Sequence, residues 1–271
     1  MLRSLAFVFV AMTAALIITV YSFFTNAFDN NAINAVAVYS VFLAGLAIAY
    51  QASPGRAALT LLITLMAVIV ISIINDHRAL AGLTLGAALF YVLMQSGHLR
   101  MAAGRPAFLV VAGLIVMIFV YFTFLARNPD WRFINDLTTE VSGRRALSGR
   151  DKIWPVVFLR IAQNPFYGHG SGSIPSQFFA FSYSSHNFYI QVAFQVGVIG
   201  IAFVTMVFWR IWRQLAGSFR HNRFAPIGLA VLAMALLHNS FVVMFFQNLV
   251  VAAIPFWVFM GLCVGLSFKE R

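Results

Sequence analysis

The chain is a succession of apolar runs, most of them long enough to cross the roughly 30 Å of hydrocarbon in a bilayer, and this limits its fold more than any other feature. Reading for such runs gives about eight helices, near 5–24, 33–50, 57–75, 79–95, 107–126, 188–209, 226–247 and 249–268. In hydrocarbon every backbone amide has to bond within its own helix or around a closed barrel. The period of two expected of a barrel strand is absent, so the expected fold is all-α, a polytopic transmembrane helical bundle with one large loop. Of the 271 residues 62% are hydrophobic and 9% charged, which sets the chain apart from soluble domains. The expected organisation is N-terminal transmembrane helices over 1–126, a loop with a short amphipathic helix over 127–187, and C-terminal transmembrane helices over 188–271.

Charge gives the orientation, because short loops rich in Lys and Arg stay in the cytoplasm. Arg3, Arg56, Arg100, Arg105, Arg210, Arg213, Arg220, Arg223, Lys269 and Arg271 fall on one side of an eight-span count, while the opposite short connections hold Asp29, Asp76 and Arg78. Both termini are therefore expected in the cytoplasm and the large loop outside it. The first run, preceded by Arg3 and followed by Ala27, is too long for a typical signal-peptide core and reads as a retained helix. The formal charge of +11 is mostly this orientation signal plus the loop, so it does not imply nucleic-acid binding. The single cysteine, Cys263, excludes an internal disulfide and reads as a small core residue.

No expected span carries Asp, Glu, Lys or Arg in its interior, and His238 is the one ionisable group at depth. That pattern counts against an ion-coupled transporter, as does the absence of a repeat between the spans before and after the loop. The polar chemistry is concentrated at one face. There, His186-Asn187 runs into a hydrophobic span, and Gly197 and Gly200 follow within it. A histidine at a membrane surface can act as a general base near neutral pH. Two glycines one helical turn apart would let a neighbouring helix or a lipid chain approach the backbone.

Within the loop, Ser148-Gly149-Arg150-Asp151 fits a capping box, and Ile153, Trp154, Val157, Phe158 and Ile161 recur at helical spacing. A short amphipathic helix along the membrane surface is expected, its N-terminus and Arg150 together suited to phosphate oxygens. Pro155 requires either a start near Asp151 or a kink, and Asn164-Pro165 with Gly168-His169-Gly170-Ser171-Gly172 ends the helix in turns. Arg78, at the outer end of an earlier span, is expected on the same face. Two cations and a histidine there would hold a diphosphate while the histidine takes a proton from a hydroxyl.

Taken together, Ser148-Gly149-Arg150 with Trp154, Asn164-Pro165 with Gly168 and Gly170, and His186-Asn187 with Gly197 and Gly200 resemble the O-antigen ligase and polysaccharide polymerase superfamily. The resemblance covers about 148–200 well and 75–90 loosely. It implies a metal-independent inverting glycosyltransferase, with no cofactor, in a bacterial inner membrane. The donor would be a polyprenyl (undecaprenyl) diphosphate-linked glycan at the outer leaflet. On that resemblance His186 is the catalytic base, Arg150 and Arg78 contact the diphosphate, and Asn187, Gly197, Gly200 and Trp154 support the site. The family usually reads Ser-Arg-Gly where this chain has His77-Arg78-Ala79. Family members commonly have more spans, so several N-terminal helices are expected to be missing. A ligase would use a lipid A-core sugar as acceptor and a polymerase another carrier-linked repeat. A lipid-glycan flippase or other non-catalytic membrane protein is the reading from a different class.

Each residue also has a plainer reading. His186 could cap a helix, Arg150 could be surface charge, and Arg78 could snorkel to headgroups. Arg144 and Arg145 read as a solvated or headgroup-facing pair, and His169 as structural or substrate-adjacent. His238-Asn239 repeats the dipeptide with Leu249 and Ala252 in place of the glycines, and reads as an interhelical hydrogen-bonding pair in the seventh span. Trp131, Phe166, Tyr167, Phe178, Phe179, Phe181, Tyr183, Phe188 and Tyr189 read mostly as interface anchors. No histidine pair at i, i+4 and no Asp-x-Asp suggests a metal, and no Gly-x-Ser-x-Gly elbow suggests a serine hydrolase. The orientation is directly testable in a background without Cys263. A cysteine placed at Gly172 is expected to react with an impermeant reagent added outside, and one at Ser218 is not; the reverse pattern would invert the topology.

Overall fold

The computed structural model describes residues 78–95, 104–123, 150–178, 185–219, 224–243 and 250–269, together with 222, 245 and isolated helical positions within 59–67 and 133–140. The expected spans near 5–24 and 33–50, most of that near 57–75, and the loop residues Arg144, Arg145, Ser148, Gly149, Trp131, Phe179, Phe181 and Tyr183 lie outside the described residues. Regular structure among the described residues is helical throughout: α1 (Arg78–Gln95), α2 (Arg105–Thr123), α3 (Arg150–Gln163), a 3-10 turn at Pro175–Gln177, α4 (Phe188–Gly217), α5 (Ala225–His238) and α6 (Val250–Lys269). Among them α2 and α4 are long and apolar enough to cross a membrane. The expected amphipathic loop helix is α3, which starts at Arg150 and runs on through Pro155.

The described helices belong to two compact units. The first holds α1, α5, α6 and the 211–217 end of α4. Its centre is α5, apolar all round and buried at nearly every position, as a helix without a polar face has to be. The Thr84 hydroxyl of α1 donates to the Met234 sulfur at 3.6 Å, and Trp212 Nε1 donates to the Gly104 carbonyl at 3.1 Å. Gly228 lets α6 approach α5: a β-carbon there would stand 3.2 Å from Cys263 Cβ. Cys263 is accordingly a buried core residue. The seventh expected span, near 226–247, is shorter than its apolar run. Helix α5 ends at His238 and residues 239–242 turn. The His238-Asn239 pair therefore sits at a helix end instead of inside a span.

The second unit holds α2 beyond Arg105, α3, the 164–178 segment, residues 185–187, α4 as far as Arg210, and the turn 239–243. Its core joins Phe122 of α2, Ile153, Trp154 and Val157 of α3, and Ile190 and Phe194 of α4. Phe188, expected at the interface, is in fact buried, and Phe178 packs edge-on against Phe194 at 5.5 Å.

Helix α4 is broken at Gly197, where the backbone takes φ 64° and ψ −161°. In a continuous helix Val198 N–H would donate to Phe194 and Ile199 N–H to Gln195. Here they donate instead to the carbonyls of Pro165 at 2.8 Å and Phe166 at 3.4 Å. The carbonyls this frees accept from the loop in return, Phe194 from His169 N–H and Gln195 from Gly170 N–H, both at 2.9 Å. The 165–170 turn is thus spliced into the helix, and the exchange leaves none of these groups unpaired. The sequence led us to expect a helix or lipid chain against Gly197; what approaches is loop backbone. A β-carbon on Gly168 would stand 2.5 Å from the Gln195 oxygen, and one on Gly197 would stand 2.7 Å from the Pro165 oxygen and closer still to Phe166. Gly200 faces its own helix, where a β-carbon would strike the Val196 side chain.

Backbone cannot yield to such contacts, and φ near +64° at Gly197 is itself strained for any other residue. Gly197→Ala is expected to cost about 2 kcal/mol or more in detergent thermal unfolding. Gly113→Ala, in α2 where nothing lies within 4 Å, is expected to be neutral or mildly stabilising. Equal behaviour of the two variants would contradict the splice.

Candidate functional site

Arg150 and Trp154 lie one turn apart on a single face of α3 and reach two different segments. Arg150 Nη2 donates to the Phe241 carbonyl at 2.8 Å, and Trp154 Nε1 donates to the Ser185 carbonyl at 2.8 Å. Trp154 is almost wholly buried, stacked on Phe119 and tilted against Phe122. It fixes the residue just before His186.

Asn187 fixes the residue just after it. Its Oδ1 accepts from the Ile190 N–H at 3.0 Å, so Asn187 is the N-cap of α4. Its Nδ2 donates to the Ser240 carbonyl at 2.9 Å. The Ser185 hydroxyl donates its one proton between two acceptors, the Asn187 carbonyl at 2.9 Å and Gln191 Oε1 at 3.1 Å. Between these pinned neighbours His186 is half-buried, with a backbone φ of 49°. A non-glycine residue rarely adopts that conformation, and it persists only where the surroundings impose it.

The turn 239–242 organises the whole cluster. Four consecutive carbonyls face it: Asn239 and Val242 accept from Phe188 N–H at 2.8 and 3.1 Å, Ser240 from Asn187, and Phe241 from Arg150. Adjacent carbonyls of one turn therefore hold Arg150 and the neighbour of His186. The sequence reading missed this turn, because a count of apolar residues passes straight through it; the polar run His238-Asn239-Ser240 was the available signal.

Arg150 is a half-buried cation with one N–H left without an acceptor. Its guanidinium carbon lies 5.9 Å from the Phe122 ring centre and 6.0 Å from that of Phe241. No carboxylate among the described residues pairs with it, and its Nε is buried without a hydrogen-bond partner. Two neighbouring hydroxyls share that condition: Thr123 Oγ1, next to Phe122, and Ser240 Oγ, next to Phe241. Burial draws the Arg150 pKa down to about 10, so the group stays charged at neutral pH. The unfolded chain holds that proton more tightly, so the penalty on folding is full below about pH 10 and shrinks only above it. An anion at the open Nε would relieve the penalty, and the positive end of α3 favours the same charge.

His169 has a structural role, in keeping with one of the two roles read for it. Its Nε2 faces the Arg160 carbonyl at 2.8 Å and its Nδ1 faces Asn164 Nδ2 at 3.4 Å, while its ring packs on Phe178 and Phe194. A neutral ring protonated on Nε2 satisfies both bonds. Gln191 and Gln195 tie the same segment to α4 through the Ser173 carbonyl, at 3.1 and 2.8 Å. Arg78 opens α1 in the first unit, and is not among the residues that the second unit brings together. No protein-family model matches the chain, and no curated protein matches it.

Proposed function

We propose that the protein is a membrane glycosyltransferase that moves a polyprenyl diphosphate-linked glycan onto an acceptor sugar hydroxyl. The single observation that carries the reading is the pairing, on adjacent carbonyls of one turn, of a half-buried arginine whose Nε has no partner and the segment that holds His186 in a left-handed backbone. An anion and a hydroxyl proton are what those two groups accept. In the proposed reaction His186 takes the proton of the acceptor hydroxyl, and the oxygen attacks the anomeric carbon. The bond from that carbon to the diphosphate breaks, and its electron pair leaves with the diphosphate. Arg150 stabilises the charge growing there. Asn187 and Trp154 position the histidine, and Gly197 admits the loop that braces α4.

The apolar helices α2 and α4 support a membrane setting for this chemistry. We take the full chain to form about eight spans in a bacterial inner membrane, with both termini cytoplasmic and the site at the outer face. The ligase reaction, with a lipid A-core acceptor, is the form proposed. Its test is a strain carrying Arg150→Lys, compared with Arg220→Lys in the loop expected on the cytoplasmic side. Lys keeps the charge but loses the forked donors, so Arg150→Lys is expected to lose at least about tenfold in transfer and to accumulate polymer on its carrier. Arg220→Lys is expected to behave as the parent. Accumulation of single repeats instead of polymer would assign the polymerase reaction, and normal surface glycan would remove Arg150 from the mechanism.

A further inference from the structure

Within the second unit, helices α2 and α4 share a ring contact and a core cluster. Phe108 meets Trp209 with ring centres 5.0 Å apart, and Phe122 shares a core with Ile190 and Phe194. Arg105 precedes the first contact on α2 and Arg210 follows it on α4. Cations at one end of apolar helices mark the edge of the hydrocarbon.

From that edge Gly197 stands about 20 Å along α4, whereas the hydrocarbon is about 30 Å thick. Beyond the break the 188–196 segment of α4 is about 14 Å long, enough to bring His186 to the far headgroups from Gly197. The 165–170 turn, spliced into α4 at Gly197, therefore lies about 10 Å inside the far leaflet. Its exposed side chains match that depth. Phe166 is 62% and Tyr167 79% exposed at the tip, and Val198 and Ile199, whose amides bond to that tip, are 56% and 53% exposed. Further along α4, Phe203 and Met206 continue the exposed apolar face, as Val116 and Met117 do on α2. Irregular backbone at such a depth needs its polar groups bonded within the protein, which the exchange with α4 supplies for Pro165, Phe166, His169 and Gly170.

We infer that the Pro165–Gly168 turn is a re-entrant anchor. Phe166 and Tyr167 insert among the acyl chains of the leaflet nearer His186, and the rigid splice holds the candidate site at headgroup height, where a lipid-borne diphosphate lies. This rests on the membrane reading of α2 and α4. The test is nitroxide labelling of single cysteines in the Cys263→Ala chain, reconstituted into phosphatidylethanolamine–phosphatidylglycerol vesicles. Tyr167→Cys is compared with Val116→Cys on the exposed face of α2 and with Glu140→Cys, exposed in the loop. Power saturation with oxygen and with a water-soluble nickel chelate reads the surroundings of each label. We expect position 167 to favour oxygen several-fold over position 140, as position 116 does. A chelate-accessible label at 167 beside an oxygen-accessible one at 116 would overturn the anchor and leave the membrane reading standing. Chelate access at 116 as well would overturn both.

Discussion

The site depends on one turn whose carbonyl oxygens all point at it. Residues 239–242 carry no charge and no catalytic group, yet their four carbonyls hold the start of α4, its N-cap and the guanidinium of Arg150. A carbonyl has only partial negative charge, so it orients the guanidinium without neutralising it. That leaves a cation between two phenyl rings, stripped of much of its water and short of one acceptor. Such an arrangement costs stability unless something anionic completes it, and on that ground we propose the arginine as a receptor for charge.

The break at Gly197 solves a second problem. A straight helix from Phe188 to Gly217 would offer its flanking loop only side chains to grip. Turning two amides and two carbonyls of the ladder outward lets the loop bond to the helix backbone itself. The 164–178 segment is then fixed by backbone at one end and by Gln191 and Gln195 at Ser173. The segment that follows α3 is in this way tied to the helix backbone at several points.

Much of this was legible in the residues. A helix opening close to Arg150, its apolar face through Trp154, and Asn187 and Gly197 as positions set apart from an ordinary span all follow from local pattern. What Gly197 is for did not follow, because spacing alone cannot tell a helix-packing glycine from one at positive φ. The turn after His238 was hidden for a different reason. Its flanking residues are apolar, and the apolar run continues through Phe241-Val242-Val243 even though the helix has stopped. The unpartnered Nε of Arg150 is invisible in sequence, since it depends on what three distant segments leave unbonded. Arg78 was placed on the expected face by counting spans, a procedure that gives a side of the membrane and no contact.

The central claim is that His186 moves a proton and is not held in its strained backbone merely to begin a helix. The direct measurement is glycan transfer by purified protein in proteoliposomes, with a polyprenyl diphosphate-linked donor at saturation and free acceptor. The account predicts that His186→Ala lowers kcat by about 10²- to 10⁴-fold while its thermal unfolding in detergent stays close to that of the parent. Transfer at the parental rate by a folded His186→Ala protein would contradict it.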